Sequence, residues 1–379
     1  MPVYLDHNAT TPLHEDVAEA MLPYMGGMYG NPSSVHRYGR LSRDALEQAR
    51  TQVARLVGAE PNEIVFTSGG TEANNLAIKG VLSNQPAAHF AISAIEHASI
   101  IEPAQSMAQQ HWELDIIPVN TQGQIEAGML QACLQSNTRL VSVMSANNET
   151  GALQDIKSLL AVSRANNAQT LFHSDACQLV GKQAVNFSEL GLDLMSLSSH
   201  KIYGPQGAGA LVVKRSVDLL PQLTGGGQEK QLRSGTENLL AVVGFGRAAE
   251  LAEEKLVKRQ LAAQNLQLQL IEQLQAIRGI QIFSQSVERI SNTVQFSLQG
   301  IDGEALLMAL DRKGFAVSSG SACDSSKTRP SHVLMAMSVN EQTARGAIRV
   351  SFGEQNTEDD VSRFIEALMN IRQQYNLDA

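Results

Sequence analysis

Ser196 to Leu211 reads SLSSHKIYGPQGAGAL, an apolar run that ends in serines, a histidine and a lysine and then enters a loop with three glycines and a proline. DLMSLSS and, just beyond the loop, GALVVK have the length and composition of strands, and Lys201 falls at the carboxyl end of the first. Working outward, EIVFTSGG, AHFAISA, LDIIPV, RLVSVMSA and TLFHSDA read as further strands, most of them separated by helix-length segments such as TEANNLAIKGVL and DIKSLLAVSRANN. This alternation predicts the α/β class, with a mostly parallel sheet covered by helices. The ligand crevice of such a sheet lies at the carboxyl ends of its strands, which is where Lys201 sits.

A chain of 379 residues is too long for one small core and predicts about two domains. The sheet region spans 15–250, a large domain; 1–14 and 251–379 form a smaller α/β domain, with RISNTVQFSLQG, FAVSS and AIRVSF as strands and GEALLMALDRKG and the chain's end as helices. Between them, AELAEEKLVKRQLAAQNLQLQLIEQLQAI reads as a helix that connects the domains rather than a buried one. With 43% hydrophobic and 18% charged residues the chain can bury a sizeable core. Its net charge of -9 argues against a general nucleic-acid surface, so no direct nucleic-acid contact is expected. No apolar run reaches membrane-spanning length, and MPVYLDHNATTP lacks the basic and apolar regions of a signal peptide, so a cytoplasmic protein without membrane contact is expected. Cys133, Cys177 and Cys323 form no CxxC pair, so neither a disulfide framework nor a metal site is expected.

Taken alone, SHK reads as a surface turn. Burial and cationic neighbours, however, lower an amine's pKa, and a neutral amine condenses with an aldehyde. A pyridoxal phosphate site needs such a lysine, a carboxylate for the pyridine nitrogen, an anchor for the phosphate and something flat over the ring. Asp175 ends the strand in LFHSDACQ and supplies a candidate carboxylate, although alone it reads as a strand-end turn aspartate. SGGTEANN, Ser68 to Asn75, offers bare amides, a helix N-terminus and the Thr71 hydroxyl to a phosphate. It reads equally as a glycine turn with Thr71 as N-cap and Glu72 in the first turn. His97 in AIEHASI follows a strand, where it stacks on a cofactor or serves as a hydrogen-bonded rim residue. Cys323, within AVSSGSACDSSKTRPSHVL, reads either as an exposed thiol whose chemistry follows its thiolate fraction or as an incidental loop cysteine.

YLDHNATTP, NPSSVHRYGR, FTSGGTEANNLAIKG, EHASI, NNETGALQDI, HSDACQ, SSHKIYGPQGAGAL, RSGTEN, SSGSAC and IRVSF occur in one order along nearly the whole chain. In this the chain resembles the cysteine desulfurases, pyridoxal-phosphate enzymes of the class V aminotransferase family, and in particular the branch serving iron-sulfur cluster assembly and nitrogenase maturation. The resemblance implies an aspartate-aminotransferase-like fold with a large pyridoxal-phosphate domain and a smaller C-terminal α/β domain carrying the cysteine loop. Lys201 matches the lysine that carries the cofactor, Asp175 the partner of the pyridine nitrogen and Gln178 the donor to the phenolic oxygen. His97 matches the stacking histidine, also an acid/base group. Thr71, Ser198 and His200 match phosphate ligands, with Gly70 lending its backbone. Thr236 in RSGTEN matches a threonine lent across a dimer interface, which implies a homodimer with shared sites. Asn148 in NNETG matches a residue touching cofactor and substrate, and Arg349 in IRVSF an arginine that grips the substrate carboxylate, which its planar fork suits.

Cys323 matches the nucleophile that takes sulfur from L-cysteine, leaving L-alanine and a persulfide for a sulfur-acceptor protein, on a loop that moves in and out. A selenocysteine lyase, a class V transaminase with an idle Cys323, and a non-catalytic partner-binding scaffold stay open as alternatives. Three departures stand out. Cys177 replaces an alanine common in relatives and reads as a small buried filler. Lys327 and Arg329 make the segment after Cys323 more basic, either as solvated charges or as determinants of the acceptor. The chain ends at NLDA without the longer tail by which housekeeping members hold a cluster scaffold, so that partnership is not carried over.

Overall fold

The computed structural model describes residues 2–319 and 330–375. Its strands are β1 (Val3–Tyr4), β2 (Ile64–Thr67), β3 (His89–Ser93), β4 (Glu113–Ile117), β5 (Thr138–Ser142), β6 (Leu171–Asp175), β7 (Leu194–Ser198), β8 (Gly209–Val213), β9 (Ile280–Ile282), β10 (Thr293–Leu298), β11 (Phe315–Ala316), β12 (Ser318–Ser319) and β13 (Ala347–Ser351).

The seven strands read around Lys201 form one sheet in the order β2-β8-β7-β6-β5-β3-β4. Its pairings are parallel except those of β8, which runs against both β2 and β7. The reason is local: the turn from Ser199 to Ala208 is too short for the crossover that a parallel neighbour requires. Every residue of β2, β3, β7 and β8 is buried, as a sheet covered on both faces demands, and their β-branched and aromatic residues meet that demand. Because only β8 is reversed, the carboxyl ends of β2, β3, β5, β6 and β7 share one edge.

A second sheet, β12-β13-β10-β9, is antiparallel throughout. FAVSS breaks at Val317 into β11 and β12, and β9, which the sequence reading passed over, supplies an edge. β1 pairs with β11, and an isolated bridge ties Asp6 to Ser351 at the end of β13. The N-terminal segment then continues to the main sheet, where the Thr11 amide donates to the His200 carbonyl at 2.9 Å. Val3 and Leu5 consequently join the apolar cluster of Val294, Phe296, Ile348 and Phe364.

The connecting helix differs from expectation. It spans Leu239–Gln275, about 55 Å at 1.5 Å per residue, and starts well before Ala249. Its first turns are buried, because AVVGFGRAA presents glycine and alanine to its neighbours. A Cβ at Gly246 would sit 2.7 Å from the Ala49 Cα, and one at Gly244 2.7 Å from the Met21 Sδ, so only glycine permits this approach. Farther along, Leu266, Leu270 and Leu274 bury against the second sheet's cluster, each worth about 1.5–3 kcal/mol of apolar transfer.

Candidate active site

The shared strand edge opens into a cavity of about 330 Å³ lined by Gly70, Thr71, His97, Asn148, Asp175, Gln178, Ser198, His200, Lys201 and Arg349. Of the residues read from the sequence, Thr236 is solvent-exposed and does not line this cavity. Cys323, Lys327 and Arg329 lie outside the described residues.

Each side chain arrives for a local reason. The helix Gly70–Leu82 starts directly after β2 with Gly69 as N-cap and no side-chain cap bond. Thr71 is therefore inside the first turn rather than the N-cap, and its hydroxyl is left at the cavity. His97 caps the helix Ala98–Ala108, its Nδ1 accepting from the Ser99 amide at 3.1 Å and lying 2.7 Å from the Ser99 Oγ. Asp175 ends β6; its Oδ2 accepts from the Asn74 Nδ2 at 2.7 Å and its Oδ1 from the Cys177 amide at 2.9 Å. The Asn74 Nδ2 also donates to the Ser99 Oγ at 2.8 Å, so Asp175, Asn74, Ser99 and His97 form one hydrogen-bonded row.

Lys201 follows β7, and its Nζ donates to the carbonyls of Asn8 at 2.5 Å and Ala9 at 2.7 Å. The Ser198 Oγ is buried at the cavity with no hydrogen-bond partner among the described residues. His200 Nδ1 lies 3.1 Å from the Thr10 Oγ1, and burial, then Lys201, pull its pKa down to about 4. Burial likewise lowers His97, with Lys201 and His332 adding to the effect and Asp175 opposing it, so that ring is neutral near pH 7. Arg349, on β13, donates through Nη2 to the Asp6 Oδ1 at 2.7 Å and through Nη1 to the Asn148 carbonyl at 3.0 Å. Its Nε is buried without a partner among the described residues.

Cys177 faces the cavity, half-buried. Its Sγ lines the cavity, a Cβ at Gly70 would meet it at 2.8 Å, and burial and Asp175 raise the thiol's pKa well above its ordinary value, so it stays protonated. The sequence reading also missed Asn8 and Lys182. Asn8 donates to the Thr293 Oγ1 at 2.8 Å and the Asn148 carbonyl at 3.1 Å, and its carbonyl accepts from the Gln178 Nε2 at 3.0 Å. Lys182, buried, donates to the Asn8 Oδ1 at 2.9 Å and the Gln178 Oε1 at 2.6 Å; its pKa is driven well below the ordinary value by burial, then by Lys201 and Arg349. The arrangement can seat an anion at the helix N-terminus, place a carboxylate against a ring nitrogen, and hold a second carboxylate at a guanidinium.

The family model of Aminotransferase class-V matches residues 3–364. The cysteine desulfurase IscS of Dictyoglomus turgidum is 40% identical over 373 residues, covering 97% of this chain and 94% of that protein. Among solved structures, a "NIFS-like protein" matches with a TM-score of 0.93 at 34% identity over 98% of this chain and 100% of its own. A structure titled "SspA in complex with cysteine" matches with a TM-score of 0.82 at 31% identity over 92% and 98%. A family model spanning almost the whole chain, together with a fold and strand-edge cavity of this kind, leads to one conclusion: the chain belongs to the class-V aminotransferase family, whose cysteine desulfurases work with pyridoxal phosphate.

Proposed function

We propose that this protein is an L-cysteine desulfurase that removes sulfur from L-cysteine, leaving L-alanine and a persulfide on Cys323. The observation that carries the reading is the convergence of the Lys201 amine, the Asp175 carboxylate, the His97 imidazole and the Arg349 guanidinium in one cavity, beside an unpartnered Ser198 hydroxyl.

The cavity fits pyridoxal phosphate on its own geometry. The orphaned Ser198 Oγ, the side-chain-free Gly69 cap and the Thr71 hydroxyl make a seat for the phosphate, to which His200 contributes and Gly70 lends its backbone. Asp175, 6% exposed, would hold the pyridine nitrogen, with Asn74 keeping its carboxylate in place, and Gln178 would donate to the phenolic oxygen. When bound, the cofactor supplies an electron sink that acidifies the substrate's Cα–H and weakens its C–S bond. Lys201 holds it and carries the proton between substrate carbons at Nζ. His97, neutral and tied to Ser99, takes and returns a proton at its ring, and its helix-capping bond fixes the ring's orientation. Arg349 receives the substrate carboxylate at its free Nε edge, with Asn148 bridging it to the cofactor side. Cys323 is assigned as sulfur acceptor on its sequence motif alone.

The partner reading extends this. The exposed Thr236 would complete the phosphate seat of a second copy, and Leu22, Met25, Tyr29, Val35 and Tyr38 leave an apolar surface of the kind a homodimer covers. We further assign 15–250 to the large domain and 1–14 with 251–379 to the small one, a cytoplasmic location, and delivery of the persulfide sulfur to an acceptor protein such as one serving iron-sulfur assembly. Among the described residues no helix is long and apolar enough to cross a membrane.

The test is alanine formation from L-cysteine by the holoprotein beside Cys323→Ser, with mass spectrometry of the Cys323 peptide. Alanine with a gain of about 32 Da, one sulfur on the thiol, supports the assignment; sustained sulfide release by the serine variant overturns it.

A further inference from the structure

A second cavity of about 190 Å³, also lined by Lys201, lies between the long helix and the segment Phe352–Glu354. In a chain of net charge -9, its wall brings together Lys182, Lys201, Lys255, Lys258 and Arg259 against a single carboxylate, Glu354, which already pairs with Arg259. Such a concentration of positive charge with low-dielectric walls attracts a counter-ion.

Three features make it a built site. Lys255, Lys258 and Arg259 stand at helical spacing of three and four, so the long helix turns them to one face. The Arg259 side chain is 9% exposed, and its Nη1 and Nη2 are buried without a hydrogen-bond partner among the described residues, while its guanidinium lies 4.6 Å from the centre of the Tyr203 ring. Two orphaned guanidinium nitrogens are costly unless an acceptor meets them, and an oxyanion matches their fork. At the inner wall, the Lys182 Nζ donates to the neutral Asn8 Oδ1 and Gln178 Oε1, and the Lys255 Nζ lies 2.7 Å from the His14 Nε2. Partial burial disfavours the charged form of an amine that lacks a counter-charge, and a nearby anion would favour it again.

We propose that this cavity is a binding site for a small tetrahedral oxyanion, of the phosphate or sulfate class, held by Arg259, Lys258 and Lys182. Apart from Lys201 the cavity shares no lining residue with the strand-edge cavity, and the inference does not depend on which reaction that cavity carries out. Because Lys182 also holds the Gln178 side chain, a bound anion favours the protonated amine next to that residue and couples the two cavities.

The test uses the cofactor-loaded protein, whose phosphate seat is filled, titrated calorimetrically with inorganic phosphate and, in a parallel arm, sulfate. Saturable binding is expected in the millimolar range or below, weakened at least about tenfold in Arg259→Gln, the scale of one charge-assisted contact, and severalfold in Lys258→Gln. Binding of only one of the two anions identifies the ligand as a phosphorus or a sulfur oxyanion, and either supports the site. Absence of saturable binding, unchanged binding in Lys258→Gln, or an equal response to chloride at matched ionic strength overturns it. Lys258 is exposed, so its variant carries the test if Arg259→Gln fails to fold.

Discussion

Replacing Arg349 by lysine keeps the charge and removes the fork. The guanidinium spends two nitrogens on the protein, Nη2 on Asp6 at 2.7 Å and Nη1 on the Asn148 carbonyl at 3.0 Å, and leaves Nε for the substrate. A lysine has three donors on one nitrogen and cannot serve three acceptors that lie around a plane. With Asp6 the charged neighbour, the ammonium is drawn to that carboxylate and the substrate contact is lost. A hydrogen bond between charged groups is worth about 1.5–3 kcal/mol, so kcat/KM for L-cysteine should fall by about 10- to 150-fold. The assay is steady-state alanine formation, with cysteamine binding to the holoprotein as the control because it lacks the carboxylate. Arg349→Lys should leave cysteamine binding within about twofold, well below the tenfold that 1.4 kcal/mol represents. A fall of less than about threefold for L-cysteine, or an equal loss for cysteamine, would refute the carboxylate contact, since the expected loss is no smaller than tenfold.

Gly70→Ala places a Cβ 2.8 Å from the Cys177 Sγ, so cofactor retention measured by visible absorption after dialysis should drop, and the second change Cys177→Ala should restore it; failure of that rescue would place the effect in the backbone instead. His173 is fully buried between the Ser142 and Ser196 hydroxyls, and burial pulls its pKa from 6.5 to about 4. The unfolded chain therefore binds its proton first, and the stability contributed by the neutral ring is present above pH 6.5 and is lost as pH falls toward about 4. Denaturation midpoints across that window should decline less steeply in His173→Gln than in the parent chain, and identical slopes would remove His173 from the acid response.

The sequence carried a great deal of this molecule. Seven strands, their helices and the strand-end positions of Asp175, Ser198 and Lys201 were legible because a sheet covered on both faces needs unbroken apolar runs, and such runs stand out between turns. Thr71, His97, Asp175 and Lys201 could be named from local motifs such as a glycine turn before a helix or a histidine after a strand, whereas Asn148, Gln178, Ser198, His200 and Arg349 were named only through the family resemblance.

What the sequence could not supply was proximity between segments far apart along the chain. Asn8 meets Gln178, Thr293 and Lys201 only because β1 pairs with β11 and Asp6 bridges to Ser351. The burial of Lys182 and its hold on Gln178, the turning of Cys177 into the cavity, and the early start of the long helix likewise arise from packing between elements. The cationic second cavity was hidden for the same reason: Lys255, Lys258 and Arg259 read as the solvated face of a charged helix until tertiary contact sets that face against Lys182 and Glu354. Local composition determines what each segment becomes, whereas solvent exclusion between segments decides which of its side chains are buried, charged and available for chemistry.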